Sequence, residues 1–409
     1  MPSSLVRLRC GVQHYGWGDT EFIPSLLGID NAERQPYAEL WMGAHPDLPA
    51  GAEVGGRTVP LDALIRSAPA EVLGPTVAET FEGHLPYLFK VLSAGAPLSI
   101  QTHPSKAAAR AGFAREDAAG IPRSAPHRNY RDENHKPELI TALTDFYGLR
   151  GFRPLDEIAG VLRDVTELSP VMPDFAPTPA CLRALYERFM ALPQDAVDRI
   201  LDPLVARLRD ADRRQTFTRD QREYWVLRAD RDYSKDGHRD RGLFSIYLLN
   251  LVRLAPGEAM FLPAGVLHAY LEGSGMEIMA NSNNVLRGGL TPKHVDVPEL
   301  IANITFEGAS AEIIHPAEVA SGEWVYRTPA REFELRRLEI VRDRPHACPA
   351  ATSAEILILV TADTSAGVTV SSGDEAVSLE RGDVLMAPHG VAYAISANAP
   401  ATLYKAVVP

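Results

Sequence analysis

Gly257-Glu-Ala-Met-Phe-Leu-Pro263-Ala-Gly265-Val-Leu-His268 decides the fold, because the chain carries this pattern twice. The second copy is Gly382-Asp-Val-Leu-Met-Ala-Pro388-His-Gly390-Val-Ala-Tyr393, with each glycine and the proline 125 residues further on and tyrosine where histidine stood. The first glycine opens a turn into a strand, the apolar run is the strand, and Pro-x-Gly makes the next turn. The last position of each copy then points back into its sheet. Two β-rich units built to one plan are therefore expected.

The surrounding sequence agrees. Tyr87–Leu92, Leu139–Leu143, Phe244–Leu254, Glu355–Val360 and Gly367–Val370 are short apolar runs between turn residues and read as strands. Ser105–Arg115 is alanine-rich and suits a helix. Between them, Leu155, Ile158, Leu162, Val165 and Leu168 recur at steps of three and four, as do Leu182, Leu185, Phe189 and Leu192. This is helical periodicity. Strands and helices are thus segregated along the chain, which excludes a regularly alternating parallel α/β fold. The repeated turn pattern resembles the second cupin motif. That resemblance implies a mainly β protein of two cupin jelly-roll β-barrels with an α-helical insertion domain. The expected divisions are a catalytic barrel from 1–153 and 239–300, a helical insertion at 154–238, and a metal-free barrel at 301–409.

Composition narrows the function. The chain has 409 residues, 45% apolar and 23% charged, with 41 basic against 53 acidic side chains and a net charge of −12. Disorder is excluded, and an acidic body argues against a nucleic-acid footprint. Cys10, Cys181 and Cys348 form no CxxC pair, which fits a reducing compartment. No apolar run is long enough for a membrane span and no signal peptide is visible, so a cytoplasmic location and no membrane partner are expected.

An inward histidine invites a search for partners. Gln101 and His103 are two residues apart, so on a strand they face the same side. Glu138 closes the segment Asn134-His-Lys-Pro-Glu138. Two imidazoles, a carboxylate and an amide oxygen suit Zn²⁺ and leave room for water or substrate. Arg287, between an apolar pair and Gly288-Gly289, could stabilise an enediolate or hold a phosphate.

These segments are similar to those of a known family. Tyr130-Arg-Asp-Glu-Asn-His-Lys-Pro-Glu138 and His268 to Lys293 resemble the two long motifs of the type I mannose-6-phosphate isomerase family, and Tyr15–Gly18, Glu39–Pro46 and Phe89–Ser93 resemble further family segments in the family's order. The resemblance implies one Zn²⁺ per chain on Gln101, His103, Glu138 and His268, with Arg287 catalytic. It places Ser99, Lys90 and Lys293 near the phosphate and Lys136, Tyr270 and Glu277 in the pocket. The implied reaction interconverts mannose 6-phosphate and fructose 6-phosphate through an enediol or enediolate. Lys136, Glu277 or a metal-bound hydroxide could be the base, and sequence leaves that choice open. Three positions depart from the family: Ser282-Asn-Asn284 lacks the usual aspartate, Arg287 is followed by Gly288 in place of alanine, and His14-Tyr-Gly replaces Asn-Tyr-Ala. Rival readings are a cupin metal-dependent oxygenase and a non-catalytic sugar-phosphate-binding protein. The expected partner is a small sugar phosphate, and the expected state is a monomer.

Overall fold

Both copies of the repeat fold alike. In the computed structural model, which describes residues 4–362 and 367–409, Gly257 has φ +90°, strand Ala259–Leu262 follows, Gly265 has φ +82°, and His268 opens strand His268–Ala280. In the second copy Gly382 has φ +83°, strand Val384–Ala387 follows, Gly390 has φ +82°, and Tyr393 opens strand Tyr393–Ala397. All four glycines hold left-handed backbone that other residues adopt only at a cost, which explains their recurrence.

With 32% of residues in strands and 27% in helices, the chain is mainly β. A nine-stranded sheet forms the middle layer. One of its faces, carrying Val6, Leu8, Ile356, Ile358 and Met386, packs on Leu40, Phe89, Leu139 and Ile278 of a ten-stranded sheet. Its other face, carrying Leu357, Leu385 and Leu403, packs on Val368, Val370 and Ile395 of a four-stranded sheet. The alternation of Ile356, Leu357 and Ile358 between the two clusters is the period of two that a strand buried on both faces shows.

The ten-stranded sheet turns back on itself along strand His268–Ala280. Before Gly273 this strand pairs with Ile100–Thr102 and Phe146–Phe152; from Gly273 onward it pairs with Tyr87–Ala94 and Glu138–Ala142. Gly273 has φ +124°, and a Cβ there would lie 2.5 Å from the Asp145 carbonyl oxygen. Leu92, Ile140, Met260 and Leu262 meet Phe146, Leu254 and Tyr270 between the two halves. Among the described residues no strand pairing closes a ring, so the expected barrels take the form of facing open sheets.

Strand Val6–Arg9 lies between Val384–Ala387 and Gly51–Val54. The middle sheet therefore crosses the division expected at residue 300. The stretch read as helical holds helices Leu155–Asp164, Pro179–Ala191, Gln194–Arg214 and Arg222–Tyr233. They bury Ile158, Leu185, Leu201 and Trp225 in a cluster with Leu149 and Leu286 of the ten-stranded sheet. Helix Lys106–Ala118 is capped by Ser105, whose side chain accepts from the Ala108 N–H. One expectation fails. Phe244–Leu254 is not a single strand: Gly242–Leu248 is an α-helix and the strand runs from Leu249 to Leu254. All seven helix residues are buried, and a segment apolar on every side carries no periodicity to tell helix from strand.

Candidate metal centre

Glu138 begins its strand opposite Leu262, the end of the first motif strand. His268 begins the next strand opposite Gln101, and His103 follows strand Ile100–Thr102. The carboxylate thus comes from one half of the sheet and the imidazoles from the other. The His103 Nε2 lies 3.3 Å from Glu138 Oε1, and the His268 Nε2 lies 3.2 Å from Glu138 Oε2. All three side chains are buried.

The protons decide what this arrangement is for. His103 Nδ1 lies 2.7 Å from the Asn284 carbonyl oxygen, and His268 Nδ1 lies 2.9 Å from that of Val266. A carbonyl only accepts, so each ring donates from Nδ1 and turns its Nε2 toward Glu138. Both Nε2 atoms and Glu138 Oε2 are buried without a hydrogen-bond partner. Burial pushes His103 down to about 4, which keeps the ring neutral. Burial alone would raise the Glu138 carboxyl, but the Lys136 ammonium beside it holds it well below the usual carboxylate range. Two imidazole nitrogens and a carboxylate converging in a buried pocket are the donor set of a cation, and their ligand atoms lie within 4.8 Å of one another. Gln101, half-buried, stands in register with both His268 and Arg287.

Lys136 Nζ lies 2.9 Å from Glu138 Oε1. Lys90, expected near a phosphate, is buried with its ammonium 3.0 Å from Glu277 Oε2 and 3.3 Å from Glu39 Oε1. Sheet register explains this, because Lys90 lies between Glu277 and Trp41 on adjacent strands. Burial would lower the Lys90 ammonium, but Glu277 and Glu39 overcome it and hold it raised. The Tyr270 hydroxyl donates to Glu277 Oε1 at 2.8 Å, and Trp41 Nε1 donates to Glu39 Oε2 at 2.7 Å. These residues form one fixed network beside the centre.

Arg287, on strand Leu286–Gly289, and Lys293 are both held down by burial and then by neighbouring positive charge, that of Arg131 in each case and of Arg287 for Lys293. Arg131, Arg287 and Lys293 thus group positive charge in one region. Arg131 was not singled out in the sequence, although it lies in the segment that ends at Glu138. Ser99 is half-buried immediately before strand Ile100–Thr102. Asn284 was also missed. Fully buried, it accepts from the Arg131 N–H at 2.7 Å, donates to the carbonyls of Asp132 and Asn134, and offers its own carbonyl to His103. It therefore ties the segment ending in Glu138 to the ring of His103. Its polar neighbours in Ser282-Asn-Asn284 were the available signal. Asn283 donates to Asp47 Oδ2 at 3.3 Å, while its N–H meets Asp132 Oδ2 at 2.7 Å. An aspartate side chain at 283 would bring a third carboxylate there.

Residues 5–155 match the model of the phosphomannose isomerase type I catalytic domain. Over 327 residues the chain is 44% identical to the mannose-6-phosphate isomerase of Salmonella typhimurium, covering 79% of this chain and 80% of the relative. The chain belongs to the type I phosphomannose isomerase family. As a member it is an aldose–ketose isomerase, which displaces the oxygenase and non-catalytic readings. The mannose-6-phosphate isomerase of Escherichia coli is 41% identical over 91% of this chain and 92% of its own, and that of Homo sapiens 35% identical over 92% of each. A solved structure of the Salmonella typhimurium enzyme, bound to its substrate fructose 6-phosphate and to zinc, superposes with a TM-score of 0.87 at 35% identity over 99% of this chain and all of that one.

Proposed function

We propose that this isomerase interconverts mannose 6-phosphate and fructose 6-phosphate at one Zn²⁺ held by Gln101, His103, Glu138 and His268. The observation that carries this is the pair of buried Nε2 nitrogens facing a buried carboxylate, in a family whose solved member holds zinc and fructose 6-phosphate. When bound, Zn²⁺ supplies a Lewis acid for the sugar oxygens on C1 and C2. Arg287 places a fixed guanidinium where enediolate charge develops. Lys293, Arg131 and Ser99 receive the phosphate, and holding that remote group orients the reacting carbons. Lys136 and Glu277 are the side chains positioned to carry the proton between C1 and C2. Lys90, paired with Glu277 and Glu39, holds Glu277 in place.

The same reading assigns the facing sheets to two cupin jelly rolls, residues 154–238 to a helical insertion and 301–409 to a metal-free unit, in a cytoplasmic monomer. No helix among the described residues is long and apolar enough to cross a membrane. A coupled assay for fructose 6-phosphate formation tests the function. Turnover is expected to be lost in a chelator and restored by one equivalent of Zn²⁺; undiminished turnover in metal-free protein would overturn it.

A further inference from the structure

Sheet register locates each position of the metal centre in the second copy of the repeat. Leu262 lies opposite Glu138, and Ala387, at the same place in the second copy, lies opposite Glu355. His268 lies opposite Gln101, and Tyr393 lies opposite Cys348. Glu355, Tyr393 and Cys348 therefore stand where Glu138, His268 and Gln101 stand in the first copy. The division between layers is also the same. The acid belongs to the nine-stranded sheet, and the other two residues to the four-stranded sheet facing it.

The carboxylate is kept and the imidazole is lost. Glu355 is buried, and the Tyr393 hydroxyl donates to its Oε2 at 2.6 Å. One hydroxyl satisfies a lone pair but leaves the charge uncompensated, and a buried charge is costly without a counter-charge. That counter-charge is Lys405. Its side chain is 2% exposed, with Nζ 3.6 Å from Glu355 Oε2 and 3.1 Å from Glu323 Oε1. Lys405 lies opposite Leu357 on the next strand, so it shares the inner face with Leu357 and with Glu355, two residues earlier. Glu323 has a second cation, since Arg336 Nη1 lies 2.9 Å from its Oε1. Among the described residues, Lys405 is the cation that reaches Glu355.

We infer that the second copy retains an internal cation site beside Glu355, filled by the chain's own Lys405 ammonium, which comes from the strand position that Glu277 holds in the first copy. This tethered cation pairs with Glu355 beside Tyr393 and so fastens the two sheets without metal. The equivalence rests on the proposed metal centre, whereas the test reads the second copy alone.

The test is a double-mutant cycle on the full-length, zinc-loaded protein, read by thermal unfolding. Lys405→Met strands a buried carboxylate and is expected to lower the midpoint by roughly 10 °C. Adding Glu355→Gln should restore at least half of that loss. Adding Glu323→Gln instead should restore less, because Arg336 already serves Glu323. Additive effects of Lys405→Met and Glu355→Gln, or a larger rescue from Glu323→Gln, would overturn the inference. If Lys405→Met does not fold, the double variant decides: a folded Lys405→Met/Glu355→Gln protein supports the site, and an unfolded one refutes it.

Discussion

The two copies of the Gly-Pro-Gly turn share backbone conformation, strand pairing and a buried glutamate with a lysine beside it, yet only the first adds two imidazoles, where the second has a tyrosine hydroxyl. The difference lies in the strand after the turn. In the first copy it runs 13 residues and crosses at Gly273 into the opposite half of its sheet, bringing Glu277 against Lys90 and Tyr270. In the second copy it ends after five residues, and the separate strand Ala401–Val407 brings Lys405 opposite Leu357, where Glu277 lies opposite Ile140 in the first. A turn that aims one side chain inward is therefore not yet a reaction centre. What separates the copies is which residues fill the second row, an acid at Glu277 in the first and a base at Lys405 in the second.

Exchanging the ion-facing residues should break this comparison most sharply. His268→Ala is expected to lose its bound zinc on dialysis and to lower turnover at least ~100-fold, because even partners outside the ligand set cost 10–100-fold at such centres. Tyr393→Phe, the matching change in the second copy, should keep both zinc and turnover. Metal analysis beside the coupled assay checks the pair, and equal loss in the two variants would dissolve the distinction. Arg287→Ala should come next, with full zinc content and kcat reduced by ~10²–10³, as for loss of a fixed transition-state donor. A normal kcat with a raised KM would instead make Arg287 a binding residue.

A smaller effect comes from pH. His346 is raised from 6.5 to about 9 by its contacts with Cys348 and Glu323, which outweigh burial. The folded protein therefore holds this proton more tightly than the unfolded chain. The stabilisation is complete below pH 6.5 and is lost as pH rises through 9, amounting to no more than about 2 kcal/mol after solvent screening. Urea unfolding between pH 6.5 and 9.5 should show this decline, and His346→Gln should flatten it. Metal-free protein is the right sample, so that the first copy's ligands do not add their own dependence on zinc. Asn283→Asp should do least. It adds an exposed carboxylate beside Asp47 and Asp132, and kcat/KM is expected to change by less than about threefold. A tenfold change would give position 283 a role in the reaction.

Much of this was legible because the signals are local. Gly257, Gly265, Gly382 and Gly390 mark turns that need positive φ, so the repeat could be read without a structure. The spacing of Gln101 and His103 pointed to one face of a strand, whereas His103 lies just past strand Ile100–Thr102. The helix Gly242–Leu248 was hidden because a fully buried segment shows no period. The carboxylate partners of Lys90 were hidden because register sets it between Glu277 and Trp41 only once the strands are assembled. Arg131 carries no pattern of its own, and its meaning comes from Arg287 and Lys293, far along the chain. Register over such separations is a property of the assembled sheets, and no window of sequence contains it.

The placement of strand Val6–Arg9 has a consequence for how the molecule is made. During synthesis this strand emerges first, and it can pair with Gly51–Val54 early, but its other edge stays open until Val384–Ala387 has been translated. The nascent chain thus carries an unpaired strand edge through most of its elongation, the kind of surface that recruits chaperones or mispairs. Closing so long a loop is slow, so maturation is expected to be post-translational, with the catalytic half waiting on the last strands to complete the layer beneath it.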